Sequence, residues 1–404
     1  MDAREQRGME LAATRLIRHN GNLWSVPSAT GDGTRYTVDL KAEKCSCPDY
    51  GMHQAKCKHI YAAYFVQIRE QHADGSVTET VVMAATRTTY PQNWPAYNAA
   101  QVEEKDRFQV LLHDLCAALP VAPPKPGRPS LPLPDAIFAA TFKVYSTVSG
   151  RRFMSDLREA HRRGMISRLP CYNTIFNILE NDNLTPILRA LIERSALPLR
   201  AVEVDFAADS SGFITSRFDR WFDHKYGKMM KQHEWVKAHI MCGVKTNIVT
   251  AVEIGEPNAA DTKLLPPMLA TTARNFQIAE VSGDKGYSSK INMEIIAATG
   301  AMPFIAFQDK IKSAGTDTGM WGKMFGYFQY RREDFLAHYH KRSNVESTFS
   351  MMKRKFGDGL RSRTDAAMKN ETLCKILCHN LVVLIHEMHE LGIDPEFWDE
   401  KKAA

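Results

Sequence analysis

At 404 residues the chain is too long for one ordinary hydrophobic core, so two or three domains are expected. Hydrophobic residues make up 44% and charged residues 24%, as in soluble globular proteins, and no apolar run approaches the roughly 20 residues of a membrane span. The net charge of +6 suits a polyanionic partner, and eight cysteines in so long a chain favour a reducing compartment and a bound metal over disulfides. Residues 1–20 have the pattern of an amphipathic helix containing acids, unlike a signal peptide.

The first motif along the chain is a cluster of soft metal ligands. The stretch CSCPDYGMHQAKCKH supplies Cys45, Cys47, Cys57 and His59. Three thiolates and one imidazole suit tetrahedral Zn²⁺ and leave no coordination position open, so the spacing predicts one structural zinc ion. His53 lies in the loop between the two pairs and is more typical of a solvated residue.

This CxC and CxH arrangement resembles the SWIM zinc finger. The segments NLWSVPS and TRYTVDL before it fit the strands of that family, and IYAAYF after it fits the helix. The resemblance covers residues 20–70 and implies a structural zinc in a module that binds DNA or protein. The sequence leaves open which of the two it binds.

A proline-rich stretch then divides the chain. Residues 119–135, LPVAPPKPGRPSLPLPD, contain seven prolines, which is typical of a semi-rigid spacer, so we predict a separate zinc-finger module over residues 1–118. The spacer contains the tripeptide Gly127-Arg128-Pro129, the core of an AT-hook, which lays its arginine in a narrow minor groove. Arg128 is therefore a candidate DNA contact, although an ordinary spacer is the favoured interpretation.

Residues 136–199 have a helical pattern. RRFMSDLREAHRRG predicts a basic helix that ends at Gly164, and LPCYNTIFNILE predicts a second helix with Pro170 in its first turn. Two helices around a short turn resemble a helix-turn-helix. The arginines of the first helix and the turn, including Arg162 and Arg163, predict a DNA-binding region. A solvated helical bundle is the alternative.

From residue 200 the pattern changes to that of an α/β domain. Three strands, a helix, a strand, a helix and a further strand are predicted between RAVEVDFAAD and MPFIAF, followed by long helices. This order predicts a mixed sheet, compatible with a ribonuclease H-like layout with added helices over residues 200–404. Asp209 and Asp284 are each predicted to stand at the end of a strand.

The stretch YHKRSNVESTFSMMK contains four polar residues that are separated by two, three and six positions: Tyr339, Arg342, Glu346 and Lys353. On one helix, with about 100° per residue, they would share one narrow stripe beside an apolar face. Such a stripe is either a solvated charged edge or a metal-binding carboxylate between cations that hold phosphates. The spacing alone does not decide between the two.

Taken together, these motifs resemble insertion-sequence transposases with a DDE catalytic core. The Y-(2)-R-(3)-E-(6)-K signature of that family is matched by Tyr339, Arg342, Glu346 and Lys353. DSSG at Asp209 looks like the first aspartate motif of the family, and GDKGYSS at Asp284 looks like the second. The resemblance covers residues 200–390 and implies a ribonuclease H-like fold that cleaves and joins transposon ends.

The resemblance also implies a role for each residue. The ligands of two Mg²⁺ (or Mn²⁺) ions per active site would be Asp209, Asp284 and Glu346. The groups that hold phosphates at the transposon end would be Tyr339, Arg342 and Lys353. The implied partner is DNA, bound by a homodimer in a synaptic complex with no membrane involved, and the implied location is the cytoplasm, at the nucleoid of a prokaryote.

Other polar residues compete for these roles. Asp205 shares a strand face with Asp209 and is an alternative or supporting acid, whereas Asp261 fits a helix N-cap better. The neighbours Cys374, Cys378 and His379 lie on a long apolar helix, and we assign them to core packing.

The predicted function is that of a DNA transposase which binds transposon ends and catalyses metal-dependent cleavage and strand transfer. A non-catalytic DNA-binding regulator derived from a transposase is the alternative, although it would not need to keep all three acids. A nuclease with the same core is a third possibility. The family signature does not include a zinc finger ahead of the core, so the finger's role is left open among end recognition, target choice and assembly.

Overall fold

The structure is a computed structural model of the chain. It describes residues 3–15, 17–20, 23–29, 34–71, 93–120, 130–215, 235–255, 260–308, 311 and 317–398.

The elements of the described chain run from a helix and a small sheet at the N-terminus to a long helix near the C-terminus. The α-helices are α1 (Ala3–Thr14), α2 (Pro48–His53), α3 (Lys58–Gln71), α4 (Trp94–Ala117), α5 (Leu133–Ser146), α6 (Gly150–Arg162), α7 (Tyr172–Leu179), α8 (Leu184–Ala196), α9 (Leu265–Ala273), α10 (Lys290–Ala298), α11 (Met320–Tyr330), α12 (Arg332–Tyr339), α13 (Ser343–Phe356) and α14 (Asp365–Glu390). The strands are β1 (Arg18–Asn20), β2 (Leu23–Pro27), β3 (Arg35–Asp39), β4 (Lys44–Cys45), β5 (Asp205–Ile214), β6 (Trp235–Gly243), β7 (Val249–Gly255), β8 (Glu280–Gly283) and β9 (Met302–Ile305). Short 3₁₀ helices occur at Leu197–Leu199, Asp261–Lys263, Lys285–Tyr287 and His340–Arg342.

The chain divides into two compact units, and each unit is assembled from two separate stretches of sequence. Unit 1 comprises Met1–Thr88 and Glu280–Lys341, and unit 2 comprises Thr89–Ala279 and Arg342–Ala404. The domain limits expected from the sequence, at residues 118, 135 and 199, stay predictions.

The N-terminal part of unit 1 is a small antiparallel sheet covered by helices. The strand order is β1-β2-β3-β4, and buried Trp24, Val26 and Val38 form its apolar face. Helix α1 packs closely on α3, since a Cβ atom added to Gly8 would lie 2.5 Å from the Cβ of Tyr61. Glycine is therefore required at this helix crossing.

The second part of unit 1 begins with two parallel strands. Strand β8 pairs with β9 in parallel, and α10 connects them. Helices α11 and α12 follow, with Phe335 and Phe304 in edge-to-face contact under α12. Tyr330 of α11 belongs to the same buried cluster as the core of the zinc-finger sheet, and its ring lies 5.1 Å from that of Phe65. The two stretches of unit 1 therefore share one core.

Unit 2 contains an antiparallel sheet of three strands. Strand β6 pairs with β5 on one side and with β7 on the other. Strand β7 is held to the long helix α14 by Asn380, which accepts from the Val249 N–H at 2.9 Å and donates to the Val249 carbonyl at 2.7 Å. Because this amide satisfies two buried backbone groups, it fixes the position of the helix on the sheet.

Helix α14 is the centre of unit 2. Its residues from Asn370 to Ile385 are all buried, and α4, α5, α7, α8 and α13 pack against it. A helix that is buried on every side is a core helix, and its polar side chains, such as Asn380, are hydrogen-bonded inside the core. Cys374 and Cys378 both contact Thr141 of α5, and His379 contacts the carbonyl oxygen of Asn247, so the assignment of these three residues to core packing is confirmed.

The predicted order of strands and helices is confirmed, and so is a mixed α/β core, since antiparallel and parallel pairs both occur. Gly164 follows α6 with a φ of +78°, as predicted. Pro170 lies before α7 and outside its first turn, because the N-cap is Cys171, so that detail was wrong.

Among the described residues no helix is both long and apolar enough to cross a membrane.

Candidate active site and zinc centre

Asp209 lies in the interior of β5. The prediction that it stands at a strand end was wrong, because pairing with β6 continues from Phe206 to Ile214 and places Asp209 opposite Ile240. Residues Phe206 to Ala208 are completely buried, whereas the Asp209 side chain keeps 19% of its surface exposed. Its carboxylate accepts the Ser210 N–H at 2.7 Å.

Helix α13 carries Glu346 and Lys353 beside an apolar face. Val345, Phe349 and Met352 are buried and anchor the helix, while Glu346 lies in its first turn with 56% of its side chain exposed. An acid in the first turn is favoured by the helix dipole. The apolar face predicted beside the charged residues is therefore present.

Arg342, at the N-cap of α13, connects two of the predicted acids. Its Nη1 lies 3.1 Å from Asp209 Oδ2 and 2.7 Å from Glu346 Oε1. Both carboxylates therefore face one cation, and the two oxygens lie within two contact lengths of each other. The positive charge of Arg342 between the two carboxylates offsets their mutual repulsion.

Lys353 reaches the same strand from further along α13. Its Nζ donates to Ser211 Oγ at 2.6 Å and lies over the Phe213 ring, 5.4 Å from the centroid. Partial burial lowers the pKa of Lys353, and the nearby Asp358 opposes that shift. Ser211 belongs to the DSSG stretch, but its contact with Lys353 was not predicted from the motif.

Asp284 lies in unit 1, directly after β8 as predicted. Its backbone is extended, with φ −67° and ψ 159°, and its carbonyl accepts from the N–H of the buried Tyr287 at 2.9 Å. The side chain is partly exposed. At the other end of β8, Glu280 contacts Lys341 Nζ at 2.7 Å and His338 Nδ1 at 2.8 Å, an ion-pair cluster that no sequence motif indicated.

The prediction of one continuous helix through the four signature residues was wrong. Tyr339 is the last residue of α12, residues His340–Arg342 form a 3₁₀ turn, and α13 begins at Ser343. The tighter turn changes the rotation per residue, so a stripe calculated for one α-helix does not describe Tyr339. Tyr339 stacks on Phe335 with their ring centroids 6.4 Å apart.

The four predicted zinc ligands come together in unit 1. One ligand atom from each of Cys45, Cys47, Cys57 and His59 lies within 4.8 Å of the others, and all four residues are buried. His59 Nε2 is buried without a hydrogen-bond partner among the described residues, while Nδ1 lies 3.9 Å from Cys57 Sγ. The donor set and its closeness fit a tetrahedral zinc ion.

Backbone amides already point at the sulfur atoms of this cluster. The Cys47 N–H donates to Cys45 Sγ and the Tyr50 N–H donates to Cys47 Sγ, both at 3.4 Å. Hydrogen bonding from Cys45 and His59 lowers the pKa of Cys57 to about 3, whereas the same contact raises the pKa of Cys45. Burial raises the pKa of Cys47 as well. Without a metal the cluster therefore favours the thiolate form, which is the form that binds zinc, at Cys57 alone.

His53 is exposed and lies 3.9 Å from Asp49, outside the ligand cluster, as expected. Asp261 was expected to be a helix N-cap, and that was wrong. It is the first residue of a 3₁₀ helix with Ala260 as the cap, and its Oδ1 contacts Lys237 Nζ at 2.5 Å. Asp205 is the first residue of β5 and partly exposed, so its role as an alternative acid stays a prediction.

The arginines predicted to bind DNA are on the surface of unit 2. Arg162 pairs with Glu159 at 2.6 Å and Arg163 pairs with Asp106, also at 2.6 Å. Exposed pairs of this kind contribute little to stability and can exchange partners. Arg128 lies outside the described residues.

Two family models match the chain. The transposase DDE domain model matches residues 201–381, and the SWIM zinc finger model matches residues 36–67. No curated protein matches the sequence. The DDE match contains Asp209, Asp284 and Glu346, and the SWIM match contains all four zinc ligands. These matches confirm the resemblance of residues 36–67 to a SWIM zinc finger and of residues 201–381 to a transposase DDE domain, whereas the four-residue signature stays a prediction.

Proposed function

We propose that the protein is an active DNA transposase, which binds the ends of its element, cleaves at the 3′ termini and joins them to target DNA. Its transposase DDE domain supports this proposal, and so does the presence of an acid at every motif position. In this proposal, Asp209, Asp284 and Glu346 are the ligands of two Mg²⁺ or Mn²⁺ ions per active site.

The contact of Arg342 with Asp209 and Glu346 is the observation that carries the proposal. The guanidinium marks a position between two carboxylates where a positive charge is stabilised. Carboxylate oxygens are the ligands that Mg²⁺ and Mn²⁺ prefer, so the donors fit these ions. When bound, two such ions activate the attacking oxygen and stabilise the leaving oxygen of an in-line displacement at phosphorus.

Arg342 and Lys353 are proposed to hold phosphates of the transposon end. A guanidinium can bind a phosphate in a bidentate way, and an ammonium acts as a point charge. Both side chains are already positioned by partners, Arg342 by the two acids and Lys353 by Ser211. Tyr339 is proposed as a third phosphate contact through its hydroxyl group.

We also propose that the helical region of residues 136–199 contacts DNA through Arg162 and Arg163, and that Arg128 contributes from the spacer. Two copies would pair in a synaptic complex at the nucleoid. The zinc ion of the SWIM finger is structural in this account, because its four ligands leave no position open.

The test is cleavage of a DNA duplex that carries the element end, in Mg²⁺ and in Mn²⁺. We expect Asp209→Asn, Asp284→Asn and Glu346→Gln each to lower the cleavage rate by at least about 10³-fold, since each removes a ligand charge. DNA affinity should be unchanged or slightly higher, because neutralising an acid removes its repulsion of the phosphates.

Two control variants test whether the loss of cleavage is specific to the three acids. Glu333→Gln alters an exposed acid of α12, and Asp365→Asn alters an exposed acid of α14, so both should cleave at the wild-type rate. Cleavage that persists in any of the three acid variants would disprove the metal assignment. DNA binding without any cleavage by the wild type would favour a non-catalytic regulator instead.

A further inference from the structure

Unit 2 contains a cavity of about 310 Å³ that the proposed chemistry does not use. It lies where α5, α6 and α7 meet the segment that joins α13 to α14. Its apolar wall comprises Val144, Val148, Phe176, Leu179 and Phe356. Its charged lining comprises Lys143, Arg361, Glu371 and Lys375. The lining therefore combines an apolar wall with three cations and one anion.

Lys143 is the group that most needs an explanation. Only 6% of its surface is exposed, and its ammonium group has no hydrogen-bond or ion-pair partner within the described part of the chain. An ammonium group withdrawn from water without an ion-pair partner destabilises the folded state, so such a residue is retained where a ligand or another charge compensates it. Desolvation lowers the pKa of Lys143 to about 8, and the charge of Arg361 adds to that shift.

The nearby acid Glu371 compensates Lys143 only in part, since its charge raises the pKa of Lys143 against the larger effect of burial and no ion pair joins the two side chains. Both carboxylate oxygens of Glu371 accept the Arg361 N–H at 3.0 Å, and one also accepts the Ser362 N–H at 2.8 Å. Glu371 therefore serves to hold the segment after α13. Lys375 is likewise engaged, since its Nζ donates to the carbonyl of Gly359 at 2.8 Å. Glu371 and Lys375 therefore line the cavity with groups that are already hydrogen-bonded, whereas Lys143 lines it without such a bond.

The N-terminus of α6 opens onto the same cavity. Gly150, its first residue, lines the cavity, and a Cβ atom there would lie 2.6 Å from the Phe176 ring. Ser149 caps the helix by accepting the Arg152 N–H at 3.4 Å. The first N–H groups of a helix have no intrahelical acceptor and carry a partial positive charge, which attracts anions. The helix end and Lys143 thus favour the same kind of ligand.

We propose that this cavity is a binding site for one phosphate group, with Lys143 as its counter-charge. The group could come from free inorganic phosphate or from the backbone of DNA, and the second source rests on the proposed function. Arg361 lies at the rim with its Nη1 bound to the Val148 carbonyl at 3.0 Å, and it is the second cation within reach of the anion.

The first experiment uses inorganic phosphate and the full-length protein, with binding measured by titration calorimetry and by the thermal unfolding midpoint. We expect phosphate to bind the wild type and to raise the midpoint. Lys143→Met should weaken phosphate binding at least about tenfold, because one charge-assisted hydrogen bond contributes that much. Methionine occupies a volume similar to that of lysine and carries no charge, so the Lys143→Met protein should stay folded without phosphate.

Lys369→Met is the matched control, since Lys369 is an exposed lysine of α14 outside the cavity. It should bind phosphate like the wild type. Absence of phosphate binding by the wild type would overturn the proposal. Equal affinity in Lys143→Met and the wild type would overturn it as well.

A second arm distinguishes the sources. If the phosphate belongs to DNA, Lys143→Met should lower the affinity for the element-end duplex and inorganic phosphate should compete with DNA. If DNA affinity is unchanged while phosphate binding is lost, the site takes a free phosphate ion. If the three acid variants lose cleavage but still bind inorganic phosphate, the acid site and the phosphate site function independently of each other.

Discussion

The zinc centre and the acid site are built in opposite ways. The four zinc ligands lie within residues 45–59 of one unit and are all buried, and two of them, Cys45 and Cys47, already accept backbone N–H groups. The three acids are spread over residues 209–346, two in unit 2 and one in unit 1, and Asp209 and Glu346 are partly exposed. A closed, pre-formed site suits a permanent structural ion, whereas open carboxylates held by an exchangeable arginine suit ions that come and go with substrate.

The largest effect should follow from breaking the zinc centre. We expect Cys57→Ser or His59→Ala to lower zinc content from one ion per chain to near zero and to unfold the zinc-finger core. Zinc in such fingers contributes on the order of 10 kcal/mol, more than a small sheet can replace. Zinc content by mass spectrometry and unfolding by calorimetry are the measurements.

The control is His53→Ala, which alters a histidine of the same loop that is exposed and outside the cluster, and it should keep its zinc. Because Tyr330 of α11 belongs to the zinc-finger core, unfolding should spread to that helix. Wild-type protease resistance of α11 in Cys57→Ser would contradict this shared core.

The free energy of unfolding of unit 2 should fall at acid pH because of two buried histidines, one on β6 and one on α14. Burial lowers the pKa of both His239 and His379 to about 4. In the unfolded chain the two histidines become protonated near pH 6.5, whereas in the folded chain they stay neutral down to about pH 4. The folded state therefore has its full stability above pH 6.5 and loses stability as the pH falls towards 4. Each histidine should account for on the order of 3 kcal/mol of unfolding free energy.

Chemical denaturation between pH 4 and 8 measures this dependence. Around His239 the charged groups are Asp261, 3.9 Å away, and Lys237, whose effects on its pKa oppose each other. His379→Gln should flatten the curve, whereas a change at the exposed His161 should leave it unaltered. A curve that stays level from pH 8 to 4 in the wild type would show that the two buried histidines take up no net protons on unfolding.

A smaller effect is expected at Arg342, where a substitution should change metal binding and DNA cleavage in opposite directions. Because the guanidinium occupies the position between Asp209 and Glu346, we expect Arg342→Gln to bind Mn²⁺ severalfold more tightly while cleaving DNA at least about tenfold more slowly. Electron paramagnetic resonance of Mn²⁺ gives the affinity. Weaker Mn²⁺ binding would show that Arg342 supports the metal site and does not compete with it.

The sequence predicted what is local. The zinc ligands lie close together in the chain, and their spacing alone was sufficient. The order of strands and helices was also correct, since hydrophobic periodicity is a local property. The turn at His340–Arg342 was missed because a 3₁₀ turn changes the helical rotation without any glycine or proline to signal it.

What could not be predicted depends on distant pairing. The extension of β5 beyond Asp209 is set by its partner β6, and the shared core of Tyr330 with the zinc finger joins residues far apart in sequence. The Arg342 contact with Asp209 is of the same kind, since 133 positions separate the two residues. A motif identifies which residues matter, but it does not say which side chains they contact.

The smallest effect concerns the surface of α6. Arg162→Ala should change stability by less than about 0.5 kcal/mol, because its pair with Glu159 is exposed. It should lower the salt dependence of DNA binding by about one phosphate contact. Fluorescence anisotropy at several salt concentrations measures this slope, and Glu180→Gln, another exposed side chain of unit 2, is a control. An unchanged slope would remove α6 from the DNA-binding surface.

The most direct test of the account is to locate Mn²⁺ by anomalous scattering in crystals of the protein bound to its element-end DNA. We expect two Mn²⁺ ions about 4 Å apart, bound by carboxylate oxygens of residues 209, 284 and 346. Manganese held without Asp284, or at some other group of acids, would contradict the central claim that these three carboxylates form one catalytic centre.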